Sequence, residues 1–150
     1  MRPIVYRRLL VALGSLILAA CSSISNYEQA AYEHATAAKV DTLAVMSKAT
    51  DSYASHQREI AELQITLDKA YEYDRGRPIN QTTMQMWDVL LKVDYQHPDE
   101  GLWPRFLERW RKNGTLSPVF ISDKKEHIAA AFDTIIALES GKNRSSPAKP

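Results

Sequence analysis

The sequence predicts an all-α protein, with one long N-terminal helix and about three shorter C-terminal helices packed on its distal half. Good helix formers dominate the composition, above all alanine, leucine, glutamate, glutamine and lysine. Alternating runs of β-branched or aromatic residues, which would indicate strands, are nearly absent, and the 150 residues include only five glycines. Apolar side chains recur instead every three or four residues, as on one face of a helix. Residues 26–141 are long enough for a single helical domain.

The long helix is expected over residues 25–74, which contain neither proline nor glycine. Ser25 or Asn26 can cap its start. At 1.5 Å per residue, about 50 residues would form a rod about 75 Å long. A break is the alternative at Thr50-Asp51-Ser52, where three poor helix formers stand together. The expected buried stripe has apolar or small residues spaced mainly by threes and fours: Met46, Ala49, Tyr53, Ile60, Leu63, Leu67 and Ala70.

Glycine and proline end the long helix and start the second one. Gly76 is placed to close the long helix, and Pro78 forbids its continuation. Asn80 then caps a helix over about 81–93. Its expected buried face consists of Met84, Trp87 and Leu91.

The third and fourth helices have similar boundary signals. The third starts near Trp103, with Pro104 in the first turn, where its missing N–H costs nothing, and ends at Asn113-Gly114. Ser117-Pro118 repeats the start signal for the fourth helix, which ends at Gly141. Its expected buried stripe is Ile121, Ile128, Ala131, Phe132, Ile135 and Leu138.

The chain begins with a basic and then apolar segment. Arg2, Arg7 and Arg8 precede an apolar run of about a dozen residues that ends at Cys21, the only cysteine. The run is shorter than the roughly 20 apolar residues that span a bilayer. Its layout is that of a secretory signal, which is basic, then apolar, then small at the cleavage point.

Leu18-Ala19-Ala20-Cys21 resembles the lipobox of bacterial lipoproteins. In that family a peptidase of the signal peptidase II type cuts just before the cysteine, whose thiol carries a diacylglycerol. The resemblance implies a signal peptide over 1–20 and a lipidated cysteine with a short tether over 21–25. It also implies an outer-membrane location facing the periplasm, since Ser22 rather than an aspartate follows the cysteine. The alternative is an ordinary cleaved signal in which Cys21 is incidental.

The charge of the remaining chain excludes one class of partner. Removing residues 1–20 takes away three of the 19 basic residues and none of the 18 acidic ones, which leaves a net charge of about −2. Proteins that bind nucleic acid are usually strongly basic, so we expect no nucleic-acid partner. Residues 142–150 form a basic Ser/Pro segment that we expect to be disordered.

Motifs for catalysis and for metal binding are absent from the sequence. The four histidines form no His-Glu-x-x-His pair, and no serine nucleophile motif is present. The nearest approach to a ligand cluster is His56, Glu59 and Glu62 on one helix face. Metal-binding bundles need ligands from facing helices, so a solvated face is the favoured interpretation. We expect no cofactor and no enzyme activity.

Aromatic and basic residues are concentrated in the third helix. One interpretation is a partner or membrane surface, with aromatic side chains in contact and cations at the rim. The favoured interpretation is a core-facing aromatic stripe with a solvated basic back, because a small core needs such side chains. The residues concerned are Trp103, Arg105, Arg109, Trp110, Arg111 and Lys112.

The charge is unevenly divided between the helices. Residues 25–74 contain nine acidic and four basic residues, whereas the third helix carries a charge of about +3. The two segments could neutralise each other within the molecule, or one could form a charged face for a partner. The sequence leaves both interpretations open.

These observations favour a membrane-anchored envelope lipoprotein that acts without catalysis, through protein–protein contacts, as a scaffold, adaptor or assembly factor. The expected partners are the membrane, through Cys21, and an envelope protein. The alternative is a helical module around His56 that binds a small ligand or a metal. An enzyme acting on cell-wall or lipid substrates is the third hypothesis.

Overall fold

The computed structural model describes residues 27–92 and 101–142, which form helices joined by turns and contain no strand. This confirms the predicted all-α class. A short 3₁₀ turn, Tyr53–His56, precedes the second helix. The five α-helices of the described residues are α1 (Gln29–Ser47), α2 (Gln57–Arg75), α3 (Gln81–Leu91), α4 (Leu102–Asn113) and α5 (Pro118–Gly141).

The predicted 50-residue rod is not confirmed, because α1 and α2 form an antiparallel hairpin. The chain leaves the helix after Ser47, next to the three poor helix formers at 50–52. Backbone hydrogen bonds fix the turn: the Leu116 N–H donates to the Ala49 carbonyl at 2.8 Å, and the Tyr53 N–H donates to the Gly114 carbonyl at 2.8 Å. Folding back lets both helices bury their apolar faces, which a lone rod would leave in water.

The last helix, α5, does not pack where the sequence predicted it. It is the longest helix, with 24 residues, and it packs along α1 as well as against α3, rather than on the distal half of a rod. Its contacts with α1 run antiparallel, since Lys125 bonds to Ser47 and Lys39 to Asp133. The predicted stripe is buried at Ile121, Ile128, Phe132 and Ile135, while Ala131 and Leu138 are half-buried.

Three tryptophans fill the centre of the bundle. All are buried, with 1% or less of their surface exposed. A buried indole needs an acceptor for its N–H, and each has one. Trp87 Nε1 lies 2.7 Å from Asp74 Oδ2, Trp103 Nε1 lies 3.1 Å from Gln64 Oε1, and Trp110 Nε1 lies 3.0 Å from the Asp51 carbonyl.

Several predicted helix boundaries are confirmed. Ser117 caps α5, because its Oγ accepts a hydrogen bond from the Phe120 N–H at 3.3 Å, and Pro118 is the first helical residue. Gly114 ends α4 with a φ of 76°, in the left-handed region that favours glycine. Asn80 precedes α3 but does not cap it with its side chain, which is used elsewhere.

Two glycines allow a matched test of these boundaries. A Cβ at Gly114 or at Gly141 would meet no atom within 4 Å, so only backbone conformation distinguishes them. We expect Gly114→Ala to lower the free energy of unfolding by about 1 kcal/mol, because alanine is strained at positive φ. Gly141→Ala, in helical conformation, should raise it by about 0.5–1 kcal/mol. Urea unfolding followed by circular dichroism measures both, and equal shifts would contradict the argument.

Candidate functional site

The segments that carry the predicted anchor, and most of the predicted tail, lie outside the described residues. These are the signal peptide 1–20, Cys21 with its tether 21–25, and residues 143–150 of the predicted tail.

The described part of the chain begins at Tyr27, and Glu28 directly precedes α1. Glu28 Oε2 lies 3.3 Å from Arg77 Nε, and its other oxygen accepts a hydrogen bond from the Tyr73 hydroxyl. This bond raises the pKa of Tyr73 to about 12. The start of α1 is thereby fixed to the end of α2.

We call this end of the bundle, defined by Glu28, Arg77, Asn80 and Lys142, the proximal end. It contains a buried charge cluster. Arg77 Nη1 donates to Asp74 Oδ1 at 2.9 Å and to Glu139 Oε2 at 2.7 Å. The side chains of Asp74 and Glu139 are 2% and 0% exposed, and that of Arg77 is 8% exposed. One guanidinium therefore joins α2 to the last turn of α5.

Lys142 completes the cluster from the end of α5. Its ammonium contacts Glu139 and donates to Asn80 Oδ1 at 2.7 Å. The Thr83 hydroxyl donates to Glu139 Oε1 at 3.1 Å. Lys142, the first residue of the predicted disordered tail, is 5% exposed and belongs to this cluster.

The charges of the cluster are balanced, with two carboxylates against two cations. Burial alone would lower the pKa of Arg77, but its hydrogen bonds to Glu139 and Asp74 raise the pKa overall. Among the described residues, no buried side-chain nitrogen or oxygen lacks a hydrogen-bond partner. Such saturation suits a structural role, because buried charges are tolerated when they are paired and hydrogen-bonded.

A pocket of about 370 Å³ opens beside the cluster, between the start of α3 and the end of α5. Its wall is largely apolar, although Asn80, Thr83 and Lys142 of the cluster contribute to it. The other lining residues are Ile79, Thr82, Thr134, Ala137, Leu138 and Gly141.

Ile79 has unusual backbone geometry at this pocket. Its φ is 56°, and it is the one described non-glycine residue with positive φ. A β-branched residue in this region costs about 1–3 kcal/mol. Its side chain is nevertheless 51% exposed, so burial in the core does not explain the conformation. Asn80 next to it is held by a hydrogen bond from its Nδ2 to the Asp74 carbonyl, at 2.9 Å.

The aromatic and basic residues of α4 separate onto two sides. Trp103 and Trp110 are buried in the core, so they are not part of an accessible surface, as the favoured interpretation held. Arg105, Arg109 and Lys112 are exposed and share one helix face, three or four residues apart. Arg111 is exposed as well but pairs with Glu108 at 2.7 Å.

Phe120 of α5 lies beside this cationic face of α4. Arg109 Cζ is 5.8 Å and Lys124 Nζ is 5.5 Å from the centre of its ring, distances at which cations attract an aromatic face. The neighbouring Val119 is 80% exposed. We call the surface formed by Arg105, Arg109, Lys112, Phe120 and Lys124 the basic face; within it, Lys124 Nζ also lies 2.9 Å from Asp123 Oδ2. Within the described part of the chain, no ion pair joins α4 to the acidic α1–α2 hairpin.

The candidate ligands around His56 do not assemble a metal site. His56 Nδ1 is 3.3 Å from Glu59 Oε2, whereas Glu62 turns to Arg58 at 3.5 Å. Glu59 also bonds to Lys48, and this bond lowers the pKa of Glu59. No group of three or more metal-binding side chains occurs in residues 27–92 and 101–142.

None of the helices in the described parts of the chain combines the length and the apolar character needed to cross a membrane. Comparison with protein-family models, with curated proteins and with solved structures gives no match to this chain.

Sequence reasoning missed the buried charge cluster. Arg77 and Glu139 are 62 residues apart, and no local pattern links them. The available signal was the spacing of Asp74 from Arg77 and of Glu139 from Lys142. Each is a charge pair three residues apart, at or just beyond a helix end.

The cluster predicts a large difference between two chemically identical substitutions. Glu139→Gln leaves two buried cations facing one carboxylate, and should lower the free energy of unfolding by about 3–5 kcal/mol. Glu62→Gln removes the same charge from an exposed pair with Arg58, and should cost less than about 1 kcal/mol. Urea unfolding of both variants measures the difference. A cost below about 1 kcal/mol for Glu139→Gln would show that the cluster does not hold the helix ends together.

Proposed function

We propose that the protein is a bacterial envelope lipoprotein, anchored by lipid at Cys21, that acts through contacts with another envelope protein and not by catalysis. The observation that carries the proposal is Leu18-Ala19-Ala20-Cys21 at the end of the apolar run, with the only cysteine of the chain as its last residue. An unpaired thiol in an exported protein needs an explanation, and lipidation supplies one. Ser22 favours the outer membrane, facing the periplasm.

The positions of the two ends of the bundle support a role in contacts away from the anchor. The chain enters at the proximal end, where Glu28 bonds to Arg77. The other end, which we call the distal end, is defined by Ala49, Tyr53, Gly114 and Leu116, whose backbones are hydrogen-bonded to each other. The 19 residues of α1 separate the two ends by about 28 Å.

The basic face supports an acidic protein partner. It is carried by α4 and α5 toward the distal end, since Lys112 precedes Gly114 by two residues and Phe120 follows Leu116 by four. A cationic surface far from the anchored end is badly placed to lie on the membrane that holds the anchor. It is well placed to attract a negatively charged partner, because charge sets the rate and orientation of encounter. We therefore propose a protein scaffold, adaptor or assembly factor, and not a membrane-binding helix.

The anchor is tested by Cys21→Ser in the full-length chain. We expect the variant to lose incorporation of labelled fatty acid and to remain an uncleaved precursor or leave the membrane fraction, because the serine cannot accept the thioether-linked lipid. Membrane fractionation and intact-protein mass spectrometry measure this. If the variant and the wild type have the same mass shift and the same fractionation, the lipoprotein proposal is wrong.

The basic face is tested by charge reversal in the full-length, membrane-anchored protein. Arg109→Glu with Lys112→Glu should reduce crosslinking to the partner in intact cells by about tenfold or more, because steering is lost. Arg58→Glu with Lys69→Glu makes the same charge change at exposed positions of α2 and should leave the crosslinks in place. Raising the salt concentration should weaken the wild-type crosslink. Equal crosslinking by both double variants would contradict the proposed surface.

A further inference from the structure

The pocket lies at the end of the bundle where the chain arrives from Cys21. Glu28 bonds to Arg77, and Arg77 is two residues from Ile79 in the pocket wall. The six peptide units from Cys21 to Tyr27 span about 20 Å when fully extended. A lipid on Cys21 is therefore attached no more than about 20 Å from Tyr27, at the end of the bundle that contains the pocket.

The chemistry of the pocket suits an aliphatic chain. Its volume of about 370 Å³ lies at the lower end of the range for small-ligand sites. The ammonium of Lys142 is the one charged group in its wall, and Glu139 already neutralises that group. An anionic ligand would thus gain little there, whereas an alkyl chain gains about 0.8 kcal/mol for each methylene removed from water.

The strained backbone of Ile79 is a second observation that favours a ligand in the pocket. Ile79 keeps a φ of 56° and leaves half of its side chain exposed beside the pocket. Backbone strain of this kind persists where the surroundings impose it, and it is concentrated at ligand sites. The hydrogen bonds of Asn80 to Asp74 and from Lys142 fix the adjacent residue. The buried charge cluster thereby keeps the apolar wall of the pocket exposed to solvent.

We propose that the proximal pocket holds one acyl chain of the lipid attached to Cys21 of the same molecule. The inference rests on the proposed lipidation and deepens it. A short tether gives the attached chain an effective concentration of the order of millimolar, which no free lipid in water matches. In the lipoproteins that the lipobox resembles, the cysteine often carries a third, amide-linked acyl chain. Two chains then stay in the membrane when one is seated in the pocket, and two suffice for stable anchoring. The seated chain turns the proximal end toward the bilayer and the basic face away from it.

The test uses the full-length lipoprotein made in cells that are fed a fatty acid with a photoreactive diazirine. After illumination and digestion, mass spectrometry identifies the peptides joined to the lipid. We expect the Cys21 lipopeptide to be crosslinked to peptides that contain Ile79 or Leu138. Ala137→Phe should reduce this crosslink by about tenfold or more, because an exposed alanine of the pocket wall is replaced by a ring that fills the space.

Ala130→Phe is the matched control. Ala130 is also an exposed alanine of α5, but it does not line the pocket, so this variant should keep the crosslink. A lipidated Cys21 peptide without a crosslink to the pocket would overturn the inference and leave the lipoprotein proposal intact. A pocket crosslinked to a free phospholipid, or one that remains crosslinked in Ala137→Phe, would overturn the inference too. Absence of lipid on Cys21 would overturn both proposals.

Discussion

The salt bridges of Arg77 are the interaction on which the arrangement of the helices depends. One guanidinium bonds to Asp74 at the end of α2, to Glu139 at the end of α5 and to Glu28 before α1. Apolar packing alone would allow these helices to slide or rotate, because burial of apolar surface has no preferred direction. Replacing such a cluster by apolar side chains is often neutral for stability. Its contribution here is therefore the register of the helix ends as much as the energy of the bonds.

That register has a consequence for the surface. The hydrogen bond between Lys142 and Asn80 holds the residue after α5 against the residue before α3, and the pocket lies between the two helices that they join. Protein interiors pack closely and leave few voids larger than a water molecule, so an open apolar pocket needs a rigid support beside it. The hydrogen bond between Lys142 and Asn80 is part of that support. The same bonds that order the helix ends thereby maintain the space that we assign to an acyl chain.

The sequence predicted the features that are determined locally. Ser117-Pro118 and Gly114 define boundaries of α5 and α4 through backbone chemistry within a few residues, and the helical class follows from composition and spacing. Local signals do not decide whether residues 48–56 continue the helix or form a turn. Whether the chain bends there depends on Leu116 and Gly114, which bond to the turn from more than 60 residues away. The charge cluster was missed for the same reason, since Arg77 and Glu139 are 62 residues apart in the chain.

In the folded molecule, the acidic and the basic segments noted in the sequence form different surfaces. The acidic α1–α2 hairpin neutralises part of its own charge, for instance through Lys48 with Glu59 and Arg58 with Glu62, and the basic face stands apart from it. If intramolecular neutralisation were the role of the cations of α4, they would be expected to face that hairpin. Arg109 lies instead over the ring of Phe120, next to the exposed Val119, and Arg105 lies beside Asp88 and Val89 of α3. Protein interfaces commonly have an apolar centre and a polar rim, and this is the kind of surface that our proposed function assigns to Phe120 and the cations near it. In the function that we propose, its position toward the distal end leaves it accessible on the side that faces away from the anchor.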